Sequence, residues 1–406
     1  MDRFLINGGK SLRGEVEISG SKNAALPLIF AALSIPYVSV LQNVPDIGDV
    51  EVAISIAREL GAQVEKRKGE LIIDARFLTY KEPRVELSSK IRASTYLLGA
   101  LLVRFGKSRI STFGGCAFDK RPIDLHLYAI KLLGGEVFCD YINAKSLKGA
   151  DIYFPKVSVG ASINALIVAS GVSGTSRIYG YAKEPHVLSL VDFFKSAGVE
   201  ISVSDEYLEV KGGASSGGFA RVIPDMIEAG TYAAISVLTE SPFLIKGADN
   251  GQLTSFFDTF HSLGIQIEKS EKGLRFFDKP YKRVEIETAP YPGFATDLQP
   301  IVAPVLAIGG GGIIIENVWK NRFSYLDALS LFGINFKRTD SYAEIYPSEL
   351  HAANAAASDL RGGASLIISA LRTNGESVIE SAQTILRGYE NLSEKLASLG
   401  ADICLI

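Results

Sequence analysis

The sequence predicts a two-domain α/β protein made of six repeated units, three per domain, in which buried helices lie inside sheets. Two repeated patterns predict this class. An amphipathic helix with a Leu-Gly-like end occurs six times, and an alternating strand pattern follows each one. An apolar helix rich in small residues also occurs six times, and each leads into another strand. The length of 406 residues agrees, because a domain usually holds about 100–200 residues.

Glycines mark the ends of the amphipathic helices and lie 64 to 73 residues apart, at Gly61, Gly134, Gly198, Gly264, Gly333 and Gly400. A glycine in this place suits the left-handed residue that closes a helix. The period is too long for a short solenoid repeat. It describes a complete unit of strand, strand, buried helix, strand, loop and amphipathic helix.

Six helices are apolar on nearly every side, and a helix of this kind must be buried on nearly all sides. We therefore expect three of them to pack together within the sheets of each domain. Their sequences are SKNAALPLIFAALS, KIRASTYLLGALLV, SVGASINALIVASG, MIEAGTYAAISVLT, ATDLQPIVAPVLAI and LRGGASLIISALRT.

The two ends of the chain complement each other in this scheme. The sixth unit stops one strand short, at ADICLI, and the segment DRFLING at Asp2–Gly8 can supply the missing strand. Both termini should therefore meet in one sheet. The N-terminal domain then covers residues 22–224 and carries a cysteine loop, while residues 1–21 and 225–406 form the C-terminal, catalytic domain, joined through a double linker near Ser21 and Pro224.

Composition excludes several classes of function. The net charge is −3 and no long basic run occurs, so we expect no nucleic-acid partner. Three separated cysteines match no metal-ligand spacing, and reduced thiols are typical of a cytoplasmic protein. We expect neither a metal nor a signal peptide. The uncharged stretch 23–41 contains two prolines, and we interpret it as core rather than as a membrane span.

Charged residues collect at the starts of the buried helices. Lys22, Arg92 and Lys156 lie at such starts in the first half, and Asp297 and Arg361 do so in the second. A helix start carries unpaired N–H donors and a partial positive charge, so cations there indicate an anionic ligand. Helices related by the repeat should begin at one end of their domain. Two domains facing each other at those ends would form an anion-binding cleft.

A lone thiol lies in the segment FGGCAFDKRP, residues 113–122. Gly114 and Gly115 precede Cys116, and Lys120 and Arg121 follow it. The two cations should lower the pKa of the thiol toward neutrality, where it can serve as a general acid or as a nucleophile. The sequence leaves both roles open. Cys139 and Cys404, by contrast, are expected to be packing residues.

Several motifs in combination resemble UDP-N-acetylglucosamine 1-carboxyvinyltransferases, and the likeness covers essentially the whole chain. These motifs are GEVEISGSKNAALP, GGCAFDKRPIDLH, KVSVGAS, FATDLQP, KNRF, SDLRGGASL and LRGYENLSEKLASLGA. The family fold is a two-domain inside-out α/β barrel. The 3-phosphoshikimate 1-carboxyvinyltransferases share this fold but lack the cysteine loop, so the loop favours the former family.

The resemblance implies transfer of the enolpyruvyl group from phosphoenolpyruvate to the 3-hydroxyl of UDP-N-acetylglucosamine, with release of phosphate. This is the first committed step of peptidoglycan synthesis, in the cytoplasm. The implied route is addition and elimination through a tetrahedral ketal, without a cofactor. Alkylation of Cys116 by the epoxide antibiotic fosfomycin is also implied. Oligomeric state is left open.

The resemblance also assigns roles by position. The implied catalytic residues are Cys116, Asp297, Lys22 and Arg387. The implied contacts to phosphoenolpyruvate come from Lys22, Arg92, Cys116, Arg121 and Arg387. The implied contacts to the nucleotide sugar come from Asn23, Arg92, Arg121, Pro122, Ile123, Asp124, Leu125, Lys156, Ser158, Val159, Gly160, Asp297 and Val318. Asp359 and Arg361 resemble a supporting charged pair.

Two departures from the family pattern keep alternatives open. Met226 stands where the family usually has arginine, and Leu386 stands where it often has an acidic residue. The alternatives are a divergent paralogue acting on another nucleotide sugar and a non-catalytic regulator that binds a nucleotide sugar. Among other polar residues, Asp49 is expected to cap a helix, with a place in the cleft as the alternative. His126 is a candidate for supporting the residues that contact the ligand.

Overall fold

The computed structural model describes residues 2–109, 122–248 and 250–406, which fold into two units. The terminal unit contains residues 2–19 and 224–406, and the central unit contains residues 20–109 and 122–223. The chain crosses from one unit to the other after Ser19 and after Ile223. Cys116 and Arg121 lie outside the described residues.

The described residues contain fourteen α-helices and two 3₁₀ turns, Arg92–Tyr96 and Asn250–Gln252. The helices are α1 Lys22–Ser34, α2 Gly48–Glu59, α3 Val85–Ser88, α4 Leu97–Phe105, α5 Asp124–Leu132, α6 Val159–Gly171, α7 Pro185–Ser196, α8 Met226–Leu238, α9 Thr254–Leu263, α10 Gln299–Ile308, α11 Tyr325–Ser330, α12 Leu360–Arg372, α13 Ala382–Leu386 and α14 Leu392–Ser398.

Twenty-three strands lie in the same part of the chain. They are β1 Arg3–Gly8, β2 Glu15–Glu17, β3 Val38–Gln42, β4 Gln63–Arg67, β5 Glu70–Asp74, β6 Lys107–Arg109, β7 Glu136–Val137, β8 Tyr141–Asn143, β9 Asp151–Tyr153, β10 Thr175–Tyr179, β11 Glu200–Val203, β12 Tyr207–Lys211, β13 Phe219–Arg221, β14 Leu244–Lys246, β15 Gln266–Ser270, β16 Gly273–Phe277, β17 Val284–Glu287, β18 Gly312–Ile315, β19 Phe336–Arg338, β20 Tyr342–Ile345, β21 Asn354–Ala356, β22 Gly375–Glu380 and β23 Asp402–Leu405.

The sheets repeat one pattern. In the central unit the strand orders are β13-β3-β5-β4, β11-β12-β10-β9 and, among the described residues, β6-β8-β7. In the terminal unit they are β15-β16-β14-β2, β17-β18-β20-β19 and β21-β22-β1-β23. Each four-stranded sheet has one parallel and two antiparallel pairs. This regularity agrees with the repeated units expected from the sequence.

The apolar helices form the core of each unit. Helices α1, α4 and α6 contact one another in the central unit, and α8, α10 and α12 do so in the terminal unit. Nearly every residue of α1, α6, α8 and α12 is buried. The predicted fold class is thereby confirmed. Two helices begin later than their patterns suggest, since a 3₁₀ turn precedes α4 and α10 begins only at Gln299.

All six glycines at the ends of the amphipathic helices have φ between 91° and 99°. A side chain would be strained in this left-handed region, whereas glycine adopts it readily. The role predicted for these glycines is confirmed.

Strand β1 lies in the middle of its sheet, between β22 and β23. Phe4 is opposite Ile379 on one side and Leu405 on the other, and both Phe4 and Ile6 are fully buried. The prediction that the chain termini meet in one sheet is therefore confirmed.

The predicted packing role of two cysteines is wrong, because Cys139 and Cys404 are both exposed free thiols. Cys404 lies in β23, where side chains alternate between the faces of the sheet, and its neighbour Ile403 takes the buried position. Cys139 comes just after the two-residue strand β7.

The uncharged stretch 23–41 divides into helix α1 and strand β3. In the described part of the chain, no helix has the length and apolar character needed to cross a membrane.

Candidate active site

Lys22 is the first residue of α1, and its ammonium group has a carboxylate partner within the protein. Lys22 Nζ lies 3.5 Å from Asp49 Oδ2, with side chains 16% and 6% exposed. The predicted capping role of Asp49 is wrong, because α2 begins at Gly48 after Ile47 and Asp49 lies in the first turn. Asp49 thus compensates part of the charge that the sequence alone assigned to a ligand.

The start of the second buried helix meets the segment after the cysteine loop. Arg92 opens the 3₁₀ turn before α4, and its Nη2 donates to the carbonyl oxygen of Pro122 at 3.4 Å. Asn164 of α6 donates to the carbonyl oxygen of Thr95 at 3.2 Å and accepts from Gly99 N–H at 3.0 Å. These bonds place the start of α6 beside the same turn.

His126 lies in the first turn of α5 and is buried, with 5% of its surface exposed. A methyl group on Gly160 would lie only 2.6 Å from His126 Nε2, so the start of α6 packs directly on the ring. Nδ1 has no hydrogen-bond partner among the described residues. Burial, aided by the positive charge of Arg92, lowers the pKa of His126 to about 4, while Asp124 opposes this shift.

The predicted nucleotide-sugar segments are therefore neighbours in the central unit. Pro122 is exposed, Ile123 directly precedes α5, Asp124 is its first residue, and Leu125 is buried. Ser158 caps α6 by accepting from Ala161 N–H at 3.4 Å, and Lys156 is exposed just before it. Asn23 and Val159 are half-buried at the starts of their helices.

In the terminal unit, Asp297 lies between two arginines, just before α10. Arg322 Nη2 donates to Asp297 Oδ1 at 2.7 Å, and Arg361 Nε donates to Asp297 Oδ2 at 3.3 Å. The arginine side chains are 4% and 2% exposed, whereas the aspartate side chain is 30% exposed. The carboxylate is thus bound by two buried guanidinium groups and remains partly exposed to solvent.

Asp359 and Arg361 occupy the start of α12 but act differently. Asp359 caps the helix by accepting from the N–H groups of Arg361 and Gly362, each at 3.0 Å. The guanidinium of Arg361 lies 5.3 Å from the ring centre of Tyr389. Burial works against its charge, but Tyr389, Asp297 and Asp225 outweigh this effect and raise the pKa of Arg361. Arg361 therefore stays cationic in its ion pair with Asp297.

Arg387 and Val318 are half-buried in the terminal unit. Met226 and Leu386, the two departures from the family pattern, pack against the apolar core of that unit. The roles proposed for Cys116 and Arg121 lie outside the described residues. Among the described residues, no three His, Cys, Asp or Glu side chains are grouped so that they could hold a metal ion.

Sequence reasoning missed Glu316, which follows strand β18 and is 3% exposed. Its carboxylate links the segment that contains Asp297 with the loop that contains Val318. A carboxylate directly after the apolar run GIII was a signal for a buried acceptor, since an unpaired charge there would be costly.

Comparison with known proteins extends these observations. A family model described as EPSP synthase (3-phosphoshikimate 1-carboxyvinyltransferase) matches residues 6–396. The crystal structure of the enolpyruvyl transferase NikO from Streptomyces tendae is similar with a TM-score of 0.89 at 25% identity, covering 100% of this chain and 99% of that one. An EPSP synthase from Acinetobacter baumannii has a TM-score of 0.73 at 16% identity, with 100% of both chains covered, which shows a shared fold.

The fold is thus that of the enolpyruvyl transferase class. A UDP-N-acetylglucosamine 1-carboxyvinyltransferase of Halothermothrix orenii is 39% identical over 99% of each chain. UDP-N-acetylglucosamine 1-carboxyvinyltransferase 3 of Caldanaerobacter subterraneus is 40% identical over 100% of each. The chain belongs to the UDP-N-acetylglucosamine 1-carboxyvinyltransferase family, and the resemblance found in the sequence is confirmed.

Proposed function

We propose that this enzyme transfers the enolpyruvyl group of phosphoenolpyruvate to the 3-hydroxyl of UDP-N-acetylglucosamine in the cytoplasm, at the first committed step of peptidoglycan synthesis. The observation that carries the chemistry is Asp297, a partly exposed carboxylate fixed by two buried arginines. Full-length similarity to relatives named for this reaction supports the choice of substrates.

Asp297 is the proposed base. Each carboxylate oxygen can accept about two hydrogen bonds. Arg322 and Arg361 each take one on a different oxygen. The carboxylate is 30% exposed, so its solvent side can receive the sugar hydroxyl, and the arginines keep it in one orientation.

The reaction balances as an addition followed by an elimination. The sugar oxygen bonds to C2 of phosphoenolpyruvate and loses its proton, while the methylene carbon gains a proton and becomes a methyl group. The C2–O bond to phosphate then breaks, and the methyl group returns a proton. The products are the enolpyruvyl ether and inorganic phosphate.

The anionic substrate accounts for the remaining assignments. Lys22, Arg92, Arg121 and Arg387 are proposed to bind the phosphate and carboxylate of phosphoenolpyruvate, since charge-assisted bonds contribute about 1.5–3 kcal/mol each. Cys116 is proposed to deliver a proton or to form a covalent adduct. The segments Arg121–Leu125 and Lys156–Gly160, with Asn23 and Val318, are proposed to hold the nucleotide sugar.

The test mixes the protein with phosphoenolpyruvate and UDP-N-acetylglucosamine and follows phosphate release and product mass. We expect turnover in the wild type and a loss of kcat of about 100-fold or more in Asp297→Asn, as is typical when a general base is removed. The matched control is Asp327→Asn, because Asp327 pairs with Arg338 on the surface of the same unit. Absence of phosphate release by the wild type would defeat the proposal.

A second test addresses the thiol. Since Cys139 and Cys404 are exposed, alkylation is best followed in a Cys139→Ser/Cys404→Ser variant. We expect fosfomycin to label Cys116 there, faster when UDP-N-acetylglucosamine is present. Equal labelling after a further Cys116→Ser change would refute the assignment.

A further inference from the structure

The carboxylate of Glu316 divides its two oxygens between two chain segments. Oε1 accepts from Thr288 Oγ1 at 2.7 Å, from Val318 N–H at 2.8 Å and from Trp319 N–H at 3.1 Å. Thr288 Oγ1 also accepts from Asn317 N–H at 3.0 Å. This oxygen therefore fixes the backbone of the loop 317–322 at its beginning.

The other oxygen fixes the segment that contains the proposed base. Oε2 accepts from Thr296 Oγ1 at 2.7 Å and from Gln299 Nε2 at 3.5 Å. These residues flank Asp297 at the start of α10. Gln299 is held in turn, since its Oε1 accepts from Tyr325 Oη at 2.5 Å.

The same two segments are joined a second time, at the far end of the loop, by Arg322 and Asp297. The loop is thus attached at both ends to the segment 296–299. A buried carboxylate is stable only when its charge is compensated by donors, and bonds to a charged acceptor are among the stronger ones. Glu316 therefore fixes the distance and angle between these segments more firmly than an apolar contact would.

We propose that Glu316 is a positioning residue for the transfer reaction. Through Oε1 it sets the backbone at Val318, the proposed contact to the nucleotide sugar, and through Oε2 it sets the orientation of Asp297. The inference rests on the proposed function, because both target residues take their roles from it.

The first experiment replaces Glu316 by Gln. The amide carries no charge and has one acceptor oxygen where five donors converge, so the bonds to both segments become weaker. We expect kcat to fall and KM for UDP-N-acetylglucosamine to rise, each by about tenfold or more, as for loss of a bond to a charged group. KM for phosphoenolpyruvate should change less than about twofold, which is under 1 kcal/mol. The reason is that none of the residues bonded to Glu316 is proposed to bind this substrate.

Trp319 gives a readout independent of activity, because it is the single tryptophan of the chain and its backbone N–H donates to Glu316. In Glu316→Gln without substrates, its emission should move to longer wavelength while far-UV circular dichroism is unchanged. Glu344→Gln is the matched control. Glu344 lies on the neighbouring strand β20 and pairs with Arg283, so that change should leave kcat, both KM values and the emission as in the wild type.

Thr296→Val distinguishes the bonds on Oε2 (the Asp297 arm) from those on Oε1 (the loop arm). It also tests the proposal if Glu316→Gln fails to fold. It removes only the hydroxyl bound to Oε2, so kcat should fall while KM for UDP-N-acetylglucosamine and Trp319 emission stay unchanged. The proposal is overturned if Thr296→Val has wild-type kcat, or if folded Glu316→Gln keeps wild-type kinetics and emission. If the wild type shows no turnover, the proposed function fails instead, and the emission of Glu316→Gln still tests the loop arm.

Discussion

Lys395 Nζ lies 2.7 Å from Glu228 Oε1, although α14 and α8 are far apart in the sequence. Glu228 Oε2 accepts from the N–H of Ser19 at 2.8 Å, and Lys395 also donates to the Ser19 hydroxyl at 2.7 Å. The hydroxyl of Ser19 donates to Glu390. This cluster binds Ser19 to helices α8 and α14 of the terminal unit. Ser19 is the last residue before the chain first crosses into the central unit.

The stability of the protein should depend on the protonation of Glu228. Burial, with a smaller contribution from Asp225, raises the pKa of this carboxyl to about 7, and Lys395 only partly opposes the shift. Between the unfolded pKa of 4.5 and the folded value, the folded state binds more protons than the unfolded state. The contribution of Glu228 to stability is therefore present at low pH and lost as the pH rises toward 7.

Glu228→Gln tests this by urea unfolding at several pH values. The free energy of unfolding of the wild type minus that of the variant should fall between pH 5 and 8 by roughly 3 kcal/mol, at about 1.4 kcal/mol per pKa unit. Glu15→Gln, at an exposed ion pair with Lys246, should show little difference at any pH. A difference that rises with pH would mean that the ion pair outweighs burial.

His126 should give the opposite slope. Its pKa is lowered to about 4, chiefly by burial, so between pH 4 and 6.5 the unfolded state binds the proton and the folded state does not. Stability from this residue is complete above pH 6.5 and is lost as the pH falls. The free energy of unfolding of the wild type minus that of His126→Gln should thus decrease from pH 7 to pH 4.5.

The control for His126 is His261→Gln, since His261 lies exposed on α9. It should show no comparable slope in the same buffers. A flat difference for His126→Gln would contradict the buried, neutral state of the ring beside Gly160.

The first strand should be essential to the terminal unit. Ile6 is fully buried in the middle of its sheet, so Ile6→Ala should destabilise the protein by about 2–5 kcal/mol. The neighbouring Asn7 is exposed, and Asn7→Ala should cost less than about 1 kcal/mol because it leaves no cavity. Urea unfolding followed by circular dichroism distinguishes the two, and equal losses would argue against β1 as a central strand.

Local patterns in the sequence predicted the elements that depend on local physics. Apolar helices such as α6 are recognisable because burial on all sides requires apolar residues on all sides. The glycines after the amphipathic helices are recognisable because the left-handed conformation favours this residue. The strand missing after ADICLI led to the correct partner at Asp2–Gly8.

Contacts between distant side chains were not predictable in this way. Asp49 was expected to cap a helix and instead pairs with Lys22, and Cys404 was expected inside and is exposed. Alternation along β23 permits either face to be the buried one, and only the neighbouring elements decide which it is. Side-chain pairing over long range leaves no periodic signal, so Glu316 was missed altogether.

The sequence by itself determined the six-unit α/β architecture and the meeting of the two termini, because periodicity and turn chemistry act within a few residues. It also carried the family resemblance and the choice of Asp297. The tertiary structure alone decided that Arg322 and Arg361 each bind one oxygen of Asp297 and that Glu316 joins its segment to Val318. Asp297, Glu316 and Arg322 lie in one repeat and Arg361 lies in the next. Pairing across 20 residues or more is decided by packing rather than by local periodicity, and burial makes each unpaired charge costly.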